Sequence, residues 1–312
     1  MYLRLSFKRS LAVIAAVVGL IIGLFGAVPA QASDTTPSNV TTWKVLVGEQ
    51  SPDFAIQGMS FLPGEIWIDQ GDSIKFVANS AEIHTVSFGA PPLPPTSVDS
   101  LLADAVPQVG GPVFDPTAKW TNSGILTTMP SPDFPSSTWY TQKFTVKGDF
   151  TFFCLIHGTM MSLTVHVQRA HSRYPHKQAY YDHQAEESSE QIIADGKDLW
   201  EDTADKASPT HVYVGASDMQ AMVMRFIRPN ITVPLGTTVM FDTGANQVLV
   251  PHTVTFTNFK QNGALVDSGT LLPAAAGGPS TFSVKFDQAG TWNYICQFHD
   301  GMGMVGSVTV LP

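Results

Sequence analysis

Cysteine is almost absent from this chain: 312 residues contain two, Cys154 and Cys296. Charge is also scarce, at 14% of residues, and it leans acidic, with 17 Lys+Arg against 26 Asp+Glu. A formal charge of −9 disfavours nucleic acid as a partner, because the phosphates would be repelled. A basic partner protein would be attracted instead, mainly through its association rate. What the chain has in quantity is apolar residues (44%), Gly (25) and Pro (22), a mixture that suits a turn-rich β protein with real cores better than a helical bundle. The length accommodates two domains.

One long apolar run without a charge occurs, Leu11 to Val28, behind the basic residues Arg4, Lys8 and Arg9. Ala30-Gln31-Ala32 follows with the small-x-small pattern of a signal-peptidase site, so residues 1–32 read as an export signal. The expected locale is periplasmic or extracellular. A membrane contact is expected only if the segment stays uncleaved, since residues 11–28 approach the length needed to anchor in a bilayer.

Each cysteine opens a similar stretch: Cys154-Leu-Ile-His157-Gly-Thr-Met160-Met161 and Cys296-Gln-Phe-His299-Asp-Gly-Met302-Gly-Met304. Each lies far downstream of a His in a strand-like run, His84 in Ile-His-Thr-Val and His252 in Pro-His-Thr-Val. A disulfide between the cysteines is disfavoured, because it needs no His three residues on and both occupy one equivalent place of a repeat. One thiolate, two imidazoles and a thioether form the ligand set of a blue copper electron-transfer site. The chain carries that set twice.

The repeat extends well beyond the ligands. Val47-Gly48 matches Val214-Gly215, and Gly71 and Phe76 match Gly236 and Phe241 at the same separation. Gly148 stands as far before Cys154 as Gly290 does before Cys296. Period-two runs such as Thr85-Val-Ser-Phe88 and Thr253-Val-Thr-Phe256, split by Gly and Pro, predict antiparallel β-sandwiches over 43–167 and 211–312. The first copy has an insertion at about 90–135, read as a surface loop with one short helix near Val98–Ala105. Residues 168–210 form an acidic linker whose apolar residues Tyr181, Ala185, Ile192, Ile193, Leu199 and Trp200 predict an amphipathic helix lightly docked on a domain, with Gly196 against it. A solvated, partly disordered linker is the alternative for that segment; the fold class is all-β, with two tandem domains joined by the acidic linker.

The ligand order and spacing resemble the cupredoxin family, its plastocyanin and pseudoazurin branch in particular. That resemblance implies Greek-key sandwiches and two copper ions, one per domain. It assigns His252, Cys296 and His299 as strong ligands and Met304 as the axial one, on the Cys-x2-His-x4-Met spacing. In the first copy it assigns His84, Cys154 and His157. There the loop is one residue shorter and two methionines compete. The frame of the following strand (Leu163, Val165, Val167) favours Met161, while Met160 has the spacing of amicyanin-like loops.

Three functions fit such a chain: an exported electron carrier with redox partner proteins, a periplasmic copper storage or delivery protein, and a multicopper oxidase or nitrite reductase-like enzyme. The last is disfavoured, because no His-x-His occurs and no His adjoins a Cys. The carrier is the leading expectation, with no catalytic residues.

Overall fold

Alternating apolar residues make short strands, and the computed structural model pairs them into sandwiches. It describes residues 40–91, 97–132 and 134–312; the basic head and apolar run at the N-terminus lie outside these. Ser38–Pro312 behaves as one unit built from two similar halves. In the first half, strands Trp139–Lys143, Ser73–Ala78, Thr42–Gln50 and Ile56–Leu62 lie side by side. In the second, Ala221–Ile227, His211–Ser217, Thr238–Asp242 and Thr281–Lys285 repeat the same pattern in mirror order. Ile56–Leu62 and Ala221–Ile227 pair antiparallel across the seam, through Gln57↔Met222 and Gly58↔Ala221, so the two four-stranded sheets fuse into one of eight.

A second sheet closes each half. Gly148–Cys154 and Gly158–Gln168 form its central hairpin in the first half, and Gly290–Ile295 and Val305–Leu311 do so in the second. The inward faces meet in two cores. Val45, Phe76, Phe144, Phe152 and Leu163 contribute to one, and Val214, Phe241, Phe256, Phe286 and Tyr294 to the other. At about 25 cal/mol per Å2, burying such side chains is the main stabilising contribution. Met222, Met224, Val248, Val250 and Met302 of the second half belong to the first half's core cluster, so the seam is apolar as well as hydrogen-bonded.

The linker forms a helix over Gln178–Ala204. It does more than dock lightly on one domain. Ala185 and Ile192 pack with Ile56, Leu62 and Ala221, and Leu199 and Trp200 pack with Ala216, Val223 and Ile227, so the helix crosses the seam and covers both halves. Gly196 sits at that crossing: a Cβ there would overlap the Ile56 side chain and lie 3.3 Å from the Cβ of Ala221. Its low helix propensity costs about 1 kcal/mol, and close approach of helix to sheet offsets it. No helix among the described residues is long and apolar enough to cross a membrane.

The insertion holds a helix over Val98–Ala105, started by a Ser97/Ser100 capping box. It is more than a surface loop. Leu126 within it exchanges backbone hydrogen bonds with His84, at 3.0 and 2.8 Å, as Leu271 does with His252 in the second half.

Candidate metal centres

Each half gathers its upstream His, its Cys and its downstream His at one end of the sandwich. In the first, His84 Nδ1 lies 3.1 Å from His157 Nδ1, and Cys154 Sγ lies 3.9 and 3.4 Å from these nitrogens. In the second the corresponding distances are 3.2 Å between His252 and His299, and 3.8 and 3.4 Å from Cys296 Sγ. Edges of this size suit three donors that each stand about 2.0–2.3 Å from one common ion. All six residues are buried.

The strands explain the convergence. Cys154 ends one strand of a hairpin, and its partner strand returns so that Phe153 faces Ser162. Ile295 faces Val305 in the same way. That register makes Met161 the counterpart of Met304. Both are fully buried, each in the same core as its cysteine, whereas Met160 is only partly buried. The second loop is pinned by hydrogen bonds from Cys296 N–H to Met304 C=O (3.0 Å) and from His299 N–H to Cys296 C=O (3.1 Å).

Two features repeat in both halves that sequence reasoning left without a role. The first is the Thr after each upstream His. Thr85 N–H points at Cys154 Sγ (3.3 Å) and Thr253 N–H at Cys296 Sγ (3.4 Å), each favouring a thiolate. Their hydroxyls accept from the N–H of the residue after the Cys, Leu155 and Gln297, at 2.8 Å in both cases. The Thr85 hydroxyl continues to Ser87 and then Asn122, whose amide donates to Ala105 and Pro107 carbonyls, so the insertion braces the first loop. In the second half the same hydroxyl leads to Thr255 and Asp267. The His-Thr dipeptide in both copies was the available signal.

The second feature is Gly48 and Gly215, with φ of +80° and +73°. A Cβ on Gly48 would stand 2.5 Å from His84 Nε2, and one on Gly215 2.6 Å from His252 Nε2. Each glycine is thus a slot for the back of an imidazole. The two Nε2 atoms are buried without a hydrogen-bond partner.

Burial sets the electrostatics. It lowers the pKa of His84 and His252 well below the ordinary histidine value, with the neighbouring imidazole adding to the effect. It lowers His157 and His299 to about 4. All four imidazoles are therefore neutral, as a metal ligand requires, over the physiological range. The Cys154 and Cys296 thiols are pushed up by the same cause, so metal uptake must release their protons. Burial also raises Glu82, beside the second centre, to about 7. The other histidines lie elsewhere: His166 sits between Asp149 and Glu65, at 2.7 Å from each, and His211 lies 3.0 Å from Asp242.

Replacing Thr85 by Val is expected to remove the acceptor of the half-buried Leu155 N–H, at a cost of about 1 kcal/mol, and to weaken metal binding at the first centre by about 10–100-fold. Thermal unfolding and chelator competition measure the two effects; unaltered metal affinity would show that the hydroxyl does not position the loop.

Residues 211–311 match the family model of copper binding proteins, plastocyanin/azurin family. Plastocyanin of Scenedesmus fuscus is 34% identical over 100 residues, which is 32% of this chain and 96% of that protein. Plastocyanin of Vicia faba is 34% identical over 104 residues, 32% of this chain and 97% of that protein. The chloroplastic plastocyanin of Pisum sativum is 34% identical over 112 residues, 34% of this chain, but only 62% of that relative's length is spanned. Among solved structures, a Cu(I) amicyanin variant is 23% identical over 35% of this chain and 89% of its own, with a TM-score of 0.25. A purple cupredoxin from Nitrosopumilus maritimus is 24% identical over 33% and 99% respectively, with a TM-score of 0.24.

Proposed function

The chain belongs to the plastocyanin/azurin family of copper-binding proteins, and from that premise we propose that it is an electron carrier with one copper ion in each half. The observation that carries this reading is the pair of buried three-donor clusters, with edges of 3.1–3.9 Å, one in each of two sandwiches that share an eight-stranded sheet. His84, Cys154 and His157 would hold the first ion and His252, Cys296 and His299 the second. Met161 and Met304 would supply the thioethers, and Met160, outside the buried face, would not ligate. Copper supplies the one-electron couple between its two oxidation states. The protein supplies soft thiolate and neutral imidazole donors that suit both states, and a sandwich that keeps them in place through the change.

The proposal extends to partners and locale. The net charge of −9 suits redox proteins with basic docking faces, and the N-terminal pattern suits export to a periplasmic or extracellular space. Carrier chemistry, with no catalytic residue, is favoured over an enzyme by the simple Cys-x2-His loops.

The test is copper content and visible absorption of the full chain and of its Cys154→Ser and Cys296→Ser forms. Two coppers per wild-type chain and one in each variant are expected, with intense blue colour when oxidised that ascorbate bleaches. A copper-loaded but colourless protein would overturn the reading. Voltammetry separates carriage from storage, since a storage protein releases copper to a chelator without a reversible wave.

A further inference from the structure

The seam brings a side chain of one half against the donor cluster of the other. Glu82 stands two residues before His84 in the first half, and its Oε2 lies 3.8 Å from Nε2 of His299 in the second. His299 turns its Nδ1 toward His252 and Cys296, so Nε2 is the nitrogen left free of the donor cluster. Both side chains are nearly closed to solvent, 7% exposed for His299 and 11% for Glu82.

Contacts independent of that pair put the loop there. Met302 packs into the first half's core. Gly301 approaches the sulfur of Met129; a Cβ on it would be 3.4 Å away. Arg225 of the second half donates to the carbonyl of Met302 and, across the seam, to that of Asp53, both at 2.6 Å. Gln57 accepts from the Glu82 N–H (3.1 Å), and its strand is the one that pairs across the seam. Glu82 is therefore held from the first half while the His299 loop is held against it from the second.

A metal-bound imidazole characteristically gives its other N–H to an acceptor, and a carboxylate there fixes the ring and makes it a stronger donor. In its ionised form a carboxylate 3.8 Å away in a poorly solvated site also favours the state of higher positive charge at the metal. The first half has no such arrangement by equivalence. Glu82-Ile83-His84 aligns with Val250-Pro251-His252, and Val250 is a buried apolar residue packed into the first half's core.

We infer that Glu82 is a positioning residue for His299, supplied across the seam, and that it biases the second centre toward oxidised copper relative to the first. The inference rests on the copper reading above. The test uses the full chain with Cys154→Ser, which isolates the second centre, and with Cys296→Ser, which isolates the first, each with and without Glu82→Gln. Cu(I) and Cu(II) affinities come from chelator competition, and the midpoint potential from voltammetry. At the second centre Glu82→Gln is expected to lower the Cu(II)/Cu(I) affinity ratio about tenfold, a rise of about 59 mV for one electron. At the first centre the ratio is expected to change less than about twofold. With Zn(II) loaded instead, the His299 Nε2–H proton resonance is expected to move on Glu82→Gln and the His157 one to stay. An unmoved ratio at the second centre, or equal shifts at both, overturns the inference. Failure of the Cys154→Ser chain to bind copper at all would instead sink the copper reading, so the two failures are distinct. Should Glu82→Gln not fold, Glu82→Asp keeps the charge and withdraws it by one methylene; a smaller fall in the same direction is expected, and an unchanged ratio overturns the inference.

Discussion

Gly48→Ala is expected to empty the first centre and leave the second loaded, and Gly215→Ala to do the reverse. Two costs coincide at each glycine. With φ of +80° and +73°, an L side chain is placed in the left-handed region, at about 1–2 kcal/mol. The new Cβ also enters the space of a ligand imidazole, 2.5 Å from His84 Nε2 or 2.6 Å from His252 Nε2. Both rings are fully buried and cannot withdraw into solvent, and the overpacking costs a further 1–3 kcal/mol or so. A ligand ring displaced even slightly loses the donor geometry, so metal affinity at that centre is expected to fall at least 100-fold, beyond the about 10–100-fold seen when only an outer hydrogen bond is lost. Copper stoichiometry and blue absorption in Gly48→Ala and Gly215→Ala forms measure this. Two coppers bound with unchanged colour in either variant would show that the imidazole does not need the slot.

The second large effect is acid sensitivity of the metal-free protein. His157 and His299 have folded pKa values of about 4, below the 6.5 of an exposed histidine. Between pH 6.5 and 4 the unfolded chain binds protons that the folded chain does not, so stability is full above pH 6.5 and is lost as pH falls toward 4. At about 1.4 kcal/mol per pH unit, each of these two contributes a loss of roughly 3 kcal/mol. His84 and His252, lowered further, act in the same direction. Glu82 opposes them: its folded pKa of about 7 exceeds the ordinary 4.5, so it gains stability as pH falls from 7 to 4.5. Asp69 and Asp195, also raised by burial, act in the same sense at the acid end; against four buried imidazoles the balance is still a net loss. Denaturant midpoints of the metal-free chain at pH 7, 5.5 and 4 should fall steadily, and copper-loaded protein should fall less while the ligands stay bound. A flat profile for the metal-free form would contradict burial of the four rings.

The donor residues were legible because their spacing is local and repeated: a Cys, a His three residues on and a Met just beyond must share one hairpin. The strands were legible from period-two runs. The linker helix was legible from its apolar spacing, yet Gly196 counted against it there, since close approach to Ile56 and Ala221 is invisible without the sheet. The insertion was read as a loop because its residues are turn-rich; that Leu126 pairs with His84 depends on strand order. Thr85, Thr253, Gly48 and Gly215 were all conspicuous as repeated residues, but their roles are contacts between distant segments.

By itself the sequence determined the ligand chemistry, the doubling of the β unit and the choice of an acidic helix to join the copies. Each of these follows from residue type and from periods of a few residues. The tertiary structure alone decided how the halves meet. Pairing of Ile56–Leu62 with Ala221–Ile227 fuses two sheets into one, the helix seals that joint, and Glu82 comes to face His299. Those are contacts between residues as many as 217 positions apart in a chain whose two copies look nearly alike. Strand-edge pairing and apolar burial at the seam select them, and neither leaves a local pattern. The two Cys-x2-His loops are alike in sequence; their surroundings differ because the seam brings a carboxylate to His299, while the residue aligned with Glu82 in the second half is the buried Val250.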